Sequence, residues 1–114
     1  MQENKDIVLV FKALADSNRL KILDMLINKE TCSCKMELEL AIKQSTISHH
    51  MQILINAGLV NVKTSGKYSF YSINTENMNK ISKYLDKYKN STKIPCILKS
   101  HHIRNFRYLI LRLL

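Results

Sequence analysis

Apolar residues recur along this chain at two periods, and the change from one to the other outlines a fold. Ile7, Val10, Phe11 and Leu14 fall at helical spacing and predict a first helix of about two to three turns. Asp16-Ser17-Asn18 offers good helix caps. Leu20, Leu23, Leu26 and Ile27 follow as the apolar face of a second helix ending near Asn28. Thr31-Cys32-Ser33-Cys34 leads into a short third helix with Met36, Leu40 and Ala41 on one face. A fourth helix starts at Gln44, with Ile47, Met51 and Leu54 as its inner stripe. The period then drops to two. Leu59 to Thr64 and Lys67 to Ile73 alternate, Tyr68, Phe70 and Tyr71 add β propensity, and Ser65-Gly66 is the expected hairpin turn. Thr75 can cap a fifth helix, in which Met78, Ile81, Leu85 and Tyr88 make a heptad-like seam.

The only two glycines punctuate this order. Gly58 stops the fourth helix, because the residue past a helix end often needs φ > 0. Gly66 sits between the strands. With one proline in 114 residues, the expected fold is mostly α with a small β-hairpin: a winged helix-turn-helix of about five helices plus a C-terminal extension. Residues 1–89 read as one DNA-binding and dimerisation domain. Residues 90–114 read as a linker, Asn90 to Pro95, followed by a basic amphipathic extension. In that extension Ile103, Phe106, Ile110 and Leu113 lie among Lys99, Arg104, Arg107 and Arg112. It suits a dimerisation helix, a membrane-surface helix or a basic end, and extra dimer or core packing is the preferred reading.

Charge sharpens the picture. The formal net charge is +9, and residues 1–60 contribute none of it: seven Lys/Arg balance seven Asp/Glu. Residues 61–114 hold eleven Lys/Arg and two Asp/Glu. A one-sided basic surface implies a polyanion partner, nucleic acid before anionic membrane. An apolar share of 46% argues against disorder. The first residues do not resemble a signal peptide, and no apolar run approaches a membrane span. A cytoplasmic location and three cysteine thiols are expected. No nucleotide-binding loop, hydrolase triad or paired-carboxylate site stands out, so no enzyme is expected. A thiol-disulfide enzyme is disfavoured by the lack of a CxxC or a βαβ pattern.

The fourth helix carries the sharpest functional signal. Its outer face presents Gln44, Ser45, Thr46, Ser48, His49 and Gln52, and no Lys, Arg, Asp or Glu occurs from Gln44 to Val60. A solvated helix usually carries charge. A face of uncharged donors and acceptors suits base edges, where hydrogen-bond pattern decides the partner. Gln44, Ser45, Thr46, Ser48 and His49 are therefore candidate base readers. Lys63, Ser65 and Lys67, around the hairpin turn, are candidate phosphate contacts on double-stranded DNA.

Several strings carry a family likeness. Phe11-Lys12-Ala13-Leu14-Ala15-Asp16-Ser17-Asn18-Arg19-Leu20-Lys21-Ile22-Leu23 resembles the second-helix entry of the ArsR/SmtB family of winged-helix metal(loid)-responsive repressors. Gln44 to Met51 resembles its recognition helix, Ala57-Gly58-Leu59-Val60 its step into the wing, and Gly66 to Ile73 its return strand. The likeness covers residues 7 to about 88. It departs at Ser17-Asn18, where the family usually shows Pro-Thr, and at Lys43, where it often has a capping Ser. The resemblance implies a homodimer that binds an operator and leaves it when an inducer binds. The dimer is expected through Met78, Ile81, Leu85 and Tyr88 with the first helix.

The resemblance also places Cys32 and Cys34 at the sensing thiols of some family members. In a regular helix, residues i and i+2 point about 200° apart and cannot share an ion. In an extended segment they share a side. The pair can chelate only if the helix start is irregular. Thiolates favour soft ions: trivalent arsenic or antimony, cadmium or lead. Where arsenic-binding relatives often have a third Cys, this chain has Glu37, so the third ligand is left open between Cys96, Glu37 and water. The family's other metal site is expected to be absent, because residues 75–89 contain no His. His101-His102 are expected to be solvent-exposed. Two alternatives stand beside metal sensing: thiol oxidation or persulfidation joining Cys32 or Cys34 to Cys96, and a DNA-binding protein with no thiol ligand.

Overall fold

The computed structural model describes residues 2–96, with side chains from residue 6 onward. The C-terminal extension beyond Cys96, including the expected exposed His101-His102, lies outside the described residues. The elements run α1 (Gln2–Leu14), α2 (Ser17–Met25), β1 (Thr31–Cys32), α3 (Ser33–Leu40), α4 (Gln44–Asn56), β2 (Val60–Ser65), β3 (Tyr68–Ile73) and α5 (Thr75–Lys89). This is the expected winged helix-turn-helix of five helices.

Local chemistry explains most boundaries. Asp16 caps α2, its carboxylate accepting from the Arg19 backbone N–H at 3.0 Å. Ala41 ends α3 in the left-handed region at φ 52, and the chain turns directly into α4. Lys43 caps α4 with backbone alone: Thr46 and Ile47 donate to its carbonyl, and its side chain makes no capping bond. At the far end of α4, Gly58 takes φ 74, its N–H bonds Ile55 O, and Leu59 N–H bonds Leu54 O. This is a Schellman closure, and the fully buried Leu54 and Leu59 supply its usual apolar contact.

The sheet holds one strand more than the expected hairpin. Its order is β1-β3-β2, all antiparallel. Thr31 pairs with Tyr71 and Cys32 with Phe70 on one side of β3; Val60 to Ser65 pair with Ile73 to Tyr68 on the other. The turn is Gly66-Lys67, one residue later than expected, because Ser65 and Tyr68 still pair. Gly66 has φ 63 at the first central position, where a type II′ hairpin turn calls for glycine.

The core gathers Ile7, Val10 and Ala13 of α1, Ile22, Leu23 and Leu26 of the α2 segment, and Met36 of α3. Ile47, Met51 and Leu54 of α4 join Leu59, Val60 and Tyr71. Three expected core positions face outward instead: Phe11, Leu20 and Ile27 are 44%, 47% and 54% exposed. The stripe of α1 runs through Ala13, and that of α2 through Ile22. Both are fully buried. The cap of α5 is also displaced. Asn74, not Thr75, precedes the helix, and its side chain accepts from Asn77 N–H at 3.1 Å. The chain divides into two compact units, ending at Tyr84 and beginning at Leu85. No helix among the described residues is long and apolar enough to cross a membrane.

Candidate DNA interface and thiol pair

The buried stripe of α4 fixes which of its residues remain available. Ile47, His50, Met51 and Leu54 are buried. Gln44, Ser45, Thr46, Ser48 and His49 are all exposed, as their assignment to base reading requires. Gln44 Nε2 donates to Ser48 Oγ at 3.2 Å, one turn along the same face. Gln52 Nε2 likewise donates to Asn56 Oδ1 at 2.9 Å. Such pairs hold amides in a defined rotamer before any partner arrives. In the wing, Lys63, Ser65 and Lys67 are exposed, with Lys67 at the tip of the turn.

One buried polar contact was not legible as a site. His50 is 8% exposed, and its Nδ1 lies 3.2 Å from Arg19 Nη1. A guanidinium only donates, so Nδ1 accepts and a neutral ring carries its proton on Nε2. Arg19 also donates through Nε to Ala13 O at 2.6 Å and through Nη2 to Lys12 O at 3.2 Å. One side chain thus ties the end of α1 and the start of α2 to the middle of α4. Asp16 completes the cluster, 3.9 Å from His50 Nδ1. The Arg19 backbone N–H holds its carboxyl below the ordinary carboxylate value, with the Arg19 charge adding to the effect. The signal in the sequence was His50 falling within the 47, 51, 54 stripe, where an i+3 position faces the core.

The cysteines depart from expectation in a way that bears on chemistry. Cys32 and Cys34 are joined to each other by a disulfide, and only Cys96 is a free thiol, exposed. The expectation of three thiols is corrected to one disulfide and one thiol. The alternative that paired Cys32 or Cys34 with Cys96 is likewise not what the structure contains. The cause is the strand that the sequence did not reveal. Cys32 is extended, at φ −83 and ψ 157, and is the last residue of β1 and the N-cap of α3. Cys34 is already in the first helical turn, with a Cα–Cα distance of 5.4 Å. The irregular helix start needed for two sulfurs to converge is therefore present. Among the described residues no group of three His, Cys, Asp or Glu side chains is arranged to hold a metal ion in this disulfide-bonded state.

The pair also sits inside the wing sheet. Cys32 pairs with Phe70, and Phe70 pairs on its other side with Lys63. Directly opposed residues share a face. Cys32, Phe70 and Lys63 thus form one transverse row on the outer face, while the neighbouring row puts Thr31 and Tyr71 into the core.

Comparison with known proteins agrees with this arrangement. Residues 16–62 match the bacterial regulatory protein, arsR family. The chain is 42% identical over 78 residues to an HTH-type transcriptional regulator of Methanocaldococcus jannaschii, covering 68% of this chain and 88% of that protein. It is 35% identical over 82 residues to the arsenical resistance operon repressor of Staphylococcus xylosus, covering 72% and 79%. Among solved structures, HlyU from Vibrio cholerae superposes with a TM-score of 0.61 at 32% identity, over 79% of this chain and all of that one. The family comprises DNA-binding transcriptional regulators, typically dimers, and not enzymes. A charge-free recognition helix, a basic wing and these relatives converge on one conclusion: this chain belongs to the ArsR family of winged helix-turn-helix transcriptional regulators.

Proposed function

We propose that this protein is a homodimeric repressor, working in the cytoplasm, that leaves its operator when a soft metal or metalloid ion binds the thiolates of reduced Cys32 and Cys34. The observation that supports this most is the convergence of the two sulfurs at the β1–α3 junction. The junction suits thiolate formation. Both cysteines lie at the positive end of α3, and no acidic residue occupies its first turn. Cys34 is exposed and Cys32 half-buried, so an ion reaches them from solvent. Trivalent arsenic or antimony, cadmium or lead match the softness of two thiolates. The third donor is Cys96, Glu37 or water. The named function of the Staphylococcus xylosus relative, an arsenical resistance operon repressor, points the same way.

On DNA, Gln44, Ser45, Thr46, Ser48 and His49 read base edges, and Lys63, Ser65 and Lys67 hold phosphates. An ion bound at Cys32 pulls on β1, and so on the strand that carries the wing. The test is to titrate fully reduced protein on its operator with trivalent arsenic, antimony, cadmium, lead and zinc separately. Release by one or more soft ions, abolished in Cys32→Ser and Cys34→Ser proteins that still bind DNA, is the expected result. Wild-type protein that stays bound with every ion overturns the reading. Cys96→Ser narrows the third donor: a strongly weakened response assigns it to Cys96, an unchanged one to Glu37 or water.

A further inference from the structure

We propose that Cys32 and Cys34 also form a reversible redox site. Their disulfide gives a state that still binds the operator and is blind to the ion. This rests on the metal-responsive reading above, and adds a condition on it.

Three observations carry the inference. The two sulfurs bond to each other rather than to Cys96, so oxidation needs no second chain and no movement of the tail. The bond consumes both proposed thiolate ligands, so the disulfide and the chelate exclude one another. And the disulfide-bonded chain has α4, its Schellman stop and the complete wing in place. The bond lies at the β1–α3 junction, outside α4 and the β2–β3 turn, which carry the proposed DNA-binding residues.

The position of the bond favours exchange over permanence. A link between residues two apart closes one of the smallest possible loops, and chain-entropy stabilisation by a crosslink grows with loop size. Little stability is therefore gained from keeping it closed. Cys34 is exposed, so an incoming sulfur has access to it. Intracellular disulfides of this kind are usually transient.

The co-reactant is a low-molecular-weight disulfide such as glutathione disulfide. The Cys34 thiolate attacks one of its sulfurs and expels the first thiolate. The Cys32 thiolate then attacks the Cys34 sulfur of the mixed disulfide and expels the second. The protein loses two protons and two electrons, and the small disulfide is reduced to two thiols. Excess thiol runs the sequence backwards. Under oxidising conditions, a repressor of this design stays on DNA whether or not the ion is present.

The experiment uses the full chain in two states, fully reduced and treated with glutathione disulfide. Peptide mass mapping establishes which cysteines are linked. Each state is bound to operator DNA and titrated with arsenite, then with cadmium, in thiol-free buffer. The expected result is equal operator affinity in both states. The ion then lowers the affinity of the reduced protein by about 5–150-fold, the usual range of such coupling, and leaves that of the oxidised protein unchanged. Reducing the oxidised protein with a non-thiol phosphine and removing the reductant before the ion is added restores release. Direct ion-binding measurement should show uptake by the reduced state only. A Cys32–Cys34 link that never forms, oxidised protein that does not bind the operator, or equal ion release in both states overturns the redox site alone. Reduced protein that no ion releases overturns the metal-responsive reading, and the redox condition falls with it.

Discussion

The side-chain amide of Asn77 donates to the carbonyl of Gly58 at 2.9 Å. The first turn of α5 therefore grips the end of α4. Asn74 strengthens the grip: its own N–H bonds Leu59 O at 2.9 Å, and its side chain caps the turn that presents Asn77. A Cβ at Gly58 would lie 2.7 Å from Asn77 Nδ2, on a backbone with φ 74. Gly58→Ala should destabilise the domain by roughly 1 kcal/mol or more, from positive φ and the displaced amide together. That corresponds to a Tm loss of about 4–8 °C for a domain of this size. Asn77→Ala should show a smaller loss without the φ penalty. Unchanged melting of Gly58→Ala would mean that the corner is not held as described.

Base reading is tested on the outer face of α4. Gln44 and Ser48 are exposed and bonded to each other, so removing either also frees its neighbour's rotamer. Gln44→Ala should weaken specific DNA by about 1–3 kcal/mol and leave random DNA nearly unaffected. Binding curves on operator and scrambled duplexes check this. Equal weakening on both would assign Gln44 to the backbone or to no contact.

The wing is tested by salt. Lys67 stands at the tip of the turn and Lys63 on β2, both exposed. Each phosphate contact removed should flatten the log–log dependence of affinity on salt by about 0.9. Lys67→Ala should do so on all sequences alike, measured from 50 to 200 mM salt, roughly the range over which such slopes are read. A slope identical to wild type places the wing off the DNA.

Assembly is tested along α5. Leu85 and Tyr88 are 43% and 61% exposed, while Met78 and Ile81 pack partly against the core. On α1, Val8, Leu9 and Phe11 are exposed as well, an unusual load of apolar surface for one short helix. A two-fold interface through these helices would set the recognition helices about 34–36 Å apart, matching half-sites one turn apart. Leu85→Glu should give monomers in sedimentation at micromolar concentration, and should cost far more affinity on the full operator than on a half-site. Wild-type protein that is itself monomeric would remove the interface.

What could be read from the chain, and what could not, follows from range. Helices and the hairpin announce themselves by period over eight or more residues, and their order emerged from the sequence intact. The strand β1 has two residues, and its existence depends on Phe70 and Tyr71, almost forty positions downstream, so no local pattern could reveal it. The burial stripes were read rightly at Ile7, Val10, Leu23 and Leu26 but missed Ala13, since counting large apolar residues overlooks a small one, and Ile22. The uncharged, exposed face of α4 was legible because the absence of charge is itself a local pattern. The bond between Cys32 and Cys34 was not, since it depends on the extended backbone that β1 imposes.

The row that joins Cys32, Phe70 and Lys63 sets a length scale for signalling. Two strand spacings, roughly 10 Å, separate the backbone of the proposed sensor from that of a lysine assigned to phosphate. Over that distance no relay through the interior is required. In the order β1-β3-β2, the shared strand β3 joins the edge that holds Cys32 to the edge that holds Lys63, and Phe70 is the residue paired with both. Tuning the proposed coupling therefore calls for changes at Phe70 above all, and leaves the helical core free to drift.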